Sequence, residues 1–211
     1  MKIKYLIFFF VLTSSIYSQI NIGISAGSIS SSTNTFFKNN LDVLDLYWEK
    51  GFTLDFEGEY FLTSSLAISP IVEYATYKFD KYYFSGAQIP EDYVKDATGK
   101  SSNEWNLFLT LKYFPHTNTI FQFVFTTGLG YIVENMGVIN ATFGNINTGE
   151  TNVSFKLKRD NKLVHLLGLS LRIKLMSDIS FNINGSYYSN YTDRFYPTIK
   201  AGFIYKLVGA L

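Results

Sequence analysis

Apolar and polar positions alternate along most of the chain, and residues 103–131 show the pattern in two successive runs. Two runs there place an apolar or aromatic residue at every second position, except at Thr127, and residues 115–119 connect them. A period of two predicts β-strands with one apolar face, and so short a connector predicts a hairpin. The apolar positions are Trp105, Leu107, Leu109, Leu111 and Tyr113, then Phe121, Phe123, Phe125, Leu129 and Tyr131.

Six further segments repeat this pattern. They cover residues 19–28, 50–61, 65–78, 161–175, 178–188 and 197–207. A strand of about ten residues is long enough to cross a bilayer at a tilt. Pro70 interrupts the third of these segments, and because proline cannot donate to a strand ladder we expect a bulge or an irregularity there.

The connections between the predicted strands differ in length. Tight links at residues 62–64, 115–119 and 176–177 alternate with long polar stretches at residues 29–49, 79–102 and 132–160, while the last link, 189–196, is shorter. Short turns at one end and long loops at the other are typical of outer-membrane barrels. Residues 132–160 also alternate; we interpret them as a hairpin that continues strands five and six above the membrane, and two further membrane strands, ten in all, are the alternative.

Tyrosine and tryptophan end several of the apolar rows, with leucine and phenylalanine between them. This order suits a strand whose two ends lie at the interfaces of a bilayer. The sequence therefore predicts an all-β fold, an eight-stranded antiparallel up-and-down transmembrane β-barrel with long extracellular loops and short periplasmic turns. A soluble, lipocalin-like barrel with apolar residues inside is the alternative. The candidate residues of the aromatic girdle are Tyr60, Trp105, Tyr113, Tyr131, Tyr187 and Tyr205.

The first residues have the layout of a secretory signal peptide. Lys2 and Lys4 precede an apolar run over residues 5–12, and small residues precede Gln19. The run is too short to span a membrane. We expect a signal peptide over residues 1–18 and the barrel domain over residues 19–211, with a retained N-terminal anchor as the alternative.

Composition excludes several classes of protein. The chain has no cysteine, which excludes a disulfide scaffold and thiolate metal sites. Removing residues 1–18 takes two of the 18 basic residues and none of the 17 acidic ones, which leaves a net charge of −1. This near-neutral balance argues against nucleic acid as a partner.

The polar faces of the strands carry charges of both signs. An eight-stranded barrel encloses an interior that side chains can fill, and unpaired charges there would be costly. We therefore expect ion pairs across a plugged lumen, with Lys174 and Lys206 at a solvated rim as an alternative for those two. The candidate residues are Asp55, Glu57, Glu59, Glu73, Lys112, Arg172 and Lys200.

Catalytic residues are not evident. His116 falls in a tight turn and His165 on an outward row, and neither has a serine at a spacing that would form a nucleophile–base pair on one strand face. Asp55, Glu57 and Glu59 share a face and could bind a cation, but pairing with bases is favoured because no further ligand is placed beside them. We predict no enzyme activity, no cofactor and no metal.

Taken together, the signal peptide, the eight alternating strands, the tight turns and the amphipathic final strand resemble the small outer-membrane β-barrel proteins of Gram-negative bacteria. Outer-membrane proteins A and X are the well-known types. Gln19 directly after the signal, and many Asn, Lys, Ile and Tyr residues, are similar to Bacteroidota members labelled "porin family" or "outer membrane beta-barrel".

The resemblance implies a location in the outer membrane of a Gram-negative bacterium, contact with its lipid, and insertion by the barrel-assembly machinery. It implies a structural or surface-binding role, with a small-solute pore or a lipid-modifying enzyme as alternatives. The long loops are rich in aromatic residues, which are typical of binding surfaces, and a surface partner or glycan is the ligand we expect if they bind one. These loop residues are Phe36, Phe37, Tyr47, Trp48, Tyr82, Tyr83, Phe84 and Tyr93.

Overall fold

The structure, a computed structural model, describes residues 19–30, 32–33, 50–78, 92–116, 119–135, 138–145, 149–156, 161–189 and 194–208. Within these ranges the strands are β1 (Ile20–Ser30), β2 (Ser32–Thr33), β3 (Lys50–Thr63), β4 (Leu66–Lys78), β5 (Asp92–Gly99), β6 (Ser102–Tyr113), β7 (Phe121–Asn135), β8 (Val138–Asn145), β9 (Gly149–Lys156), β10 (Asn161–Lys174), β11 (Ile179–Ser189) and β12 (Arg194–Val208). None of the described segments is a helix long and apolar enough to cross a membrane. The signal peptide expected over residues 1–18 lies outside the described residues.

Eight of these strands close into a barrel. β1, β3, β4, β6, β7, β10, β11 and β12 pair in that order, and β12 pairs with β1. Every pairing is antiparallel, which confirms the predicted eight-stranded antiparallel barrel.

The ladder registers fix the tilt of the strands. A path that steps from each residue to its ladder partner begins at Ile29 on β1, passes through Thr198 on β12 and reaches Phe61 on β3 after one circuit of the wall. The backbone N–H of Phe61 donates to the carbonyl of Gln19 at 3.1 Å, so the path returns to β1 at Gln19. The stagger from Gln19 to Ile29 is ten residues, and a stagger of this size in eight strands requires a tilt of about 40°. The interior is therefore narrow enough for side chains from opposite walls to meet.

Three short links lie at one end of the barrel, which we call the short-turn end. They are residues 64–65 between β3 and β4, residues 114–120 between β6 and β7, and residues 175–178 between β10 and β11. The opposite end is called the loop end. In the β3–β4 ladder the two pairs that would involve Ser69 and Pro70 are absent, and pairing resumes in the same register. Pro70 therefore interrupts the ladder without producing a bulge.

A second, three-stranded sheet has the order β5–β8–β9. A hairpin is present within residues 132–160 as β8 and β9, which confirms that part of the prediction. It belongs to this separate sheet and does not continue the β7–β10 ladder, and because neither strand joins the barrel the ten-stranded alternative is wrong. β5 lies in a stretch that the sequence pattern indicates as a loop. Its partner β8 lies some 40 residues further along the chain, so no local hairpin pattern marks it.

The two faces of the barrel wall differ in chemistry. Along β6, residues at even positions are buried and those at odd positions are mostly exposed, as the alternation predicts. The exposed positions are apolar or aromatic, and buried charges occupy the inner face. A lipocalin-like barrel requires the opposite arrangement, so that alternative is wrong.

Inward-facing glycines make room for large inner side chains. A Cβ atom added to Gly130 would lie 2.1 Å from the ring of Phe108, and one added to Gly23 would lie 2.8 Å from the side chain of Glu57. One cluster of buried apolar side chains lies at the short-turn end, where Phe61 and Phe114 pack with ring centroids 5.0 Å apart.

Candidate functional site

The interior of the barrel is a charged core crossed by hydrogen bonds. All seven residues proposed from the sequence as ion-pair candidates face inward, and none exposes more than 6% of its surface. Among the described residues, the buried acids are Asp55, Glu57, Glu59, Glu73, Glu104 and Glu134, and the buried bases are Lys112, Arg172 and Lys200.

The first group of charges, the Glu59 cluster, consists of Glu57, Glu59, Lys112 and Arg172. The Arg172 guanidinium holds Glu59 with two hydrogen bonds, Nη1 to Oε2 at 3.0 Å and Nη2 to Oε1 at 2.7 Å. Lys112 Nζ donates to Glu59 Oε1 at 2.8 Å and also pairs with Glu57. Asn21 Nδ2 donates to Glu59 Oε2 at 2.9 Å. Two-point binding of a carboxylate by arginine is among the stronger hydrogen-bonded contacts in proteins.

The Glu59 cluster spans the lumen because its members come from separate parts of the wall. Glu57 and Glu59 lie two positions apart on β3 and so share its inner face, while Lys112 comes from β6 and Arg172 from β10. The two acids balance the two bases. The Arg172 guanidinium also lies 5.2 Å from the ring centroid of Phe114, within the range of a cation–π contact.

The second group, the Glu73 cluster, consists of Asp55, Glu73 and Lys200 with two neutral donors. Lys200 Nζ lies 2.7 Å from Glu73 Oε2 and pairs with Asp55 as well. Asn106 Nδ2 and the Tyr188 hydroxyl donate to Glu73 Oε1 at 2.8 and 3.0 Å. These residues come from β3, β4, β6, β11 and β12, so this cluster also joins opposite walls.

Two buried acids were missed by the sequence reasoning. Glu104 Oε1 accepts hydrogen bonds from the Tyr77 hydroxyl at 2.7 Å and from Asn106 Nδ2 at 2.9 Å. Glu134 Oε1 accepts from the Tyr196 hydroxyl at 2.9 Å, and Lys162 lies 3.6 Å from its other oxygen. The alternation on β6 could have indicated Glu104, because Glu104 occupies an even-numbered, inward-facing position on that strand, as Asn106 and Lys112 do.

The six candidate girdle residues all face outward and are exposed. Trp105, Tyr131 and Tyr187 lie towards the loop end, and the other three lie towards the short-turn end. The rings of Tyr74 and Trp105 pack with centroids 5.0 Å apart. Exposed aromatic rings near both ends of the wall have the arrangement that a bilayer interface favours.

The two histidines lie apart. His116 is exposed at the short-turn end, and His165 faces outward, with its Nε2 atom 3.0 Å from Thr127 Oγ1. Ser189 lies opposite His165 in the β10–β11 ladder. Spacing within one strand could not reveal this serine, because it comes from the neighbouring strand. The described residues contain no group of three or more histidine, aspartate or glutamate side chains placed to hold a metal ion.

Solved outer-membrane barrels have a similar fold. Neisserial surface protein A (NspA) matches with a TM-score of 0.51 and 11% identity, over 89% of this chain and 97% of that one. At this low sequence identity, the match shows that the two proteins share a fold. Ail, the attachment invasion locus protein of Yersinia pestis, matches with a TM-score of 0.49 and 12% identity, over 90% of this chain and 99% of that one. OprG from Pseudomonas aeruginosa matches with a TM-score of 0.48 and 16% identity, over 90% of this chain and 97% of that one.

No family model matches the chain, and no curated protein matches it.

Proposed function

We propose that the chain is an integral outer-membrane protein of a Gram-negative bacterium, non-enzymatic, with a largely plugged lumen and a structural or surface-binding role. The barrel-assembly machinery would insert it, and outer-membrane lipid would surround it. Its residue usage is similar to that of Bacteroidota members. The observation that carries the proposal is the distribution of side chains in the barrel wall, which is the reverse of that in a soluble barrel: the outer face is apolar and the inner face is charged.

The outer face supports the membrane location. Leu109 is 63% exposed, and Phe56 and Phe123 are more than half exposed, all on the outer wall. Soluble monomers rarely expose apolar patches larger than a few hundred Å², whereas lipid favours such a surface. A closed barrel also leaves no unpaired strand edge, which a spanning sheet requires.

The inner face supports a plugged lumen. The Glu59 and Glu73 clusters hold charges from opposite walls within hydrogen-bonding distance. A hydrated ion that crossed the barrel would have to separate these pairs, and leaving one partner of a buried pair alone costs about 3–5 kcal/mol.

Two experiments test the proposal. Cell fractionation should find the protein in the outer membrane, and an unheated sample should migrate differently from a boiled one on a denaturing gel. In planar bilayers, the purified barrel should give no large, stable, ohmic conductance. Recovery in the soluble fraction with no mobility shift would contradict the location, and a stable, large, ohmic pore would favour the small-solute alternative.

One observation favours a second candidate, a lipid-modifying enzyme. His165 and Thr127 are polar, hydrogen-bonded to each other and on the outer wall, and Ser189 stands opposite His165. Polar groups at a lipid-facing position are costly and often functional. A lipid-modification assay on outer-membrane extracts would favour the enzyme if His165→Ala abolished an activity that the unmodified protein shows.

Binding at the loops belongs to the same proposal. The aromatic residues that suggest a surface partner or glycan lie outside the described residues, except Tyr93, which lies on β5. Glycan-array binding by whole cells with and without the protein would test this role.

A further inference from the structure

The interior opens at the short-turn end into a cavity of about 740 Å³, which we call the vestibule. Its charged lining residues are Arg172, Lys174, Lys206 and Asp178. Glu59 neutralises Arg172, and the two lysines outnumber Asp178, so the cavity carries an excess of one positive charge. Its apolar lining includes Phe61 and Phe114, which pack together, and also Ile120 and Ile204.

Arg172 has a donor that the Glu59 cluster does not use. Both of its terminal nitrogens bond Glu59, but its Nε–H is buried and has no hydrogen-bond partner among the described residues. A buried donor left without a partner costs about 1–3 kcal/mol. Because Arg172 also lines the vestibule, a small displacement of its side chain would bring this buried donor to an acceptor held in that cavity.

Two lysines, Lys174 and Lys206, add positive charge around the same cavity. Lys174 is exposed at the end of β10, and Lys206 is half-buried on β12. Within the part of the chain that the structure describes, neither ammonium group forms a salt bridge. Lys206 does meet Asp178 through the backbone, where its N–H donates to the Asp178 carbonyl at 2.8 Å. Their positive charge is therefore available to a ligand.

Charge is also segregated along the barrel axis. The buried acids Glu73, Glu104 and Glu134 lie towards the loop end, whereas the two vestibule lysines lie at the short-turn end. A cleft lined by one sign of charge concentrates ligands of the opposite sign. An anion is thus attracted into the vestibule and repelled from the outer half of the lumen, so it would be held and not conducted.

We propose that the vestibule is a binding site for a small oxyanion, a solute that carries a phosphate or carboxylate group and enters from the short-turn end. One oxygen accepts the Arg172 Nε–H, and the others lie between the ammonium groups of Lys174 and Lys206. The volume is in the range of small-molecule sites, and the rings of Phe61 and Phe114 can contact an apolar part of the solute.

The test uses the full barrel in a neutral maltoside detergent at low ionic strength. Inorganic phosphate and, separately, succinate are titrated while the Arg Nε–H signals are followed by ¹⁵N NMR. We expect a saturable shift of the Arg172 signal that weakens with added sodium chloride, because Lys174 is solvent-exposed and its field is screened by salt. A response to both probes assigns the site to oxyanions in general, and a response to phosphate alone narrows it to phosphate esters.

A matched pair of double variants locates the site. Lys174→Gln with Lys206→Gln should weaken binding about tenfold, the sum expected for two partly exposed charges. Lys78→Gln with Lys100→Gln removes the same charge from two exposed lysines outside the vestibule and should leave the affinity unchanged. The absence of any saturable shift in the unmodified protein, or equal weakening by both double variants, would overturn the proposal.

Discussion

Glu59 joins both bases of the Glu59 cluster, so its removal is the sharpest perturbation of the barrel interior. Glu59→Gln keeps the shape of the side chain and removes its charge. Lys112 retains Glu57 as a partner, but Arg172 loses the carboxylate that held two of its nitrogens. The cluster then changes from neutral to a net charge of +1.

The expected loss follows from the burial of Arg172, which is 5% exposed. Breaking a buried ion pair by removing one partner typically costs about 3–5 kcal/mol, because the other charge is left uncompensated. Removing Arg172 as well, in Glu59→Gln with Arg172→Gln, takes that uncompensated charge away. The loss of unfolding free energy in the double variant should therefore be smaller than the sum of the losses in the two single variants, by about 2 kcal/mol or more.

Urea unfolding in lipid vesicles measures these differences, with the folded fraction read from the mobility of unheated samples on a gel. Asp178→Asn removes an exposed acid and serves as the control, expected within about 0.5 kcal/mol of the unmodified protein. If Glu59→Gln were as mild as this control, or if the two single losses simply added, Arg172 would be solvated and the lumen would not be plugged at this level.

Two further predictions use matched positions on the wall. Gly130→Ala should destabilise the barrel by about 1–3 kcal/mol, because its Cβ would meet the ring of Phe108, whereas at Gly185 a Cβ meets nothing closer than 3.9 Å and the same change should be nearly neutral in urea unfolding. Equal effects would refute the close packing of the interior. Leu109→Arg should lower the unfolding free energy by about 2–4 kcal/mol, because Leu109 lies at mid-membrane depth, whereas Leu163→Arg near the loop end should lower it by only about 0–1 kcal/mol. The two leucines are similarly exposed, at 63% and 68%, so exposure alone predicts no difference. In urea unfolding from vesicles, equal losses at the two positions would contradict a bilayer around the wall.

The barrel could be predicted from the sequence because its information is local. Each strand carries its own alternation, and the short links fix which strands are neighbours. The same alternation is enough to place Glu57, Glu59 and Lys112 on inner faces, because side chains two positions apart on a strand point to the same side. Closure of β12 onto β1 follows from the need to leave no edge in lipid.

What could not be predicted depends on contacts between distant strands. The partner of Arg172 is set by the ten-residue stagger of the whole barrel, which no single strand encodes. β5 was missed because its pairing with β8 joins two separate long connections. The vestibule was missed for the same reason, since Lys174 and Lys206 lie on different strands and only the closed barrel brings them around one cavity.

The central claim is that the apolar wall faces lipid, and Trp105 offers the most direct measurement of it. This ring is on the outer wall and 53% exposed. With Trp48→Phe it becomes the only tryptophan, since the chain has two. In vesicles of brominated lipid, we expect strong quenching of Trp105 fluorescence, greater for bromines near the headgroup than for bromines deep in the acyl chain, because the ring lies at the interface. Quenching by aqueous acrylamide with no response to brominated lipid would contradict the account.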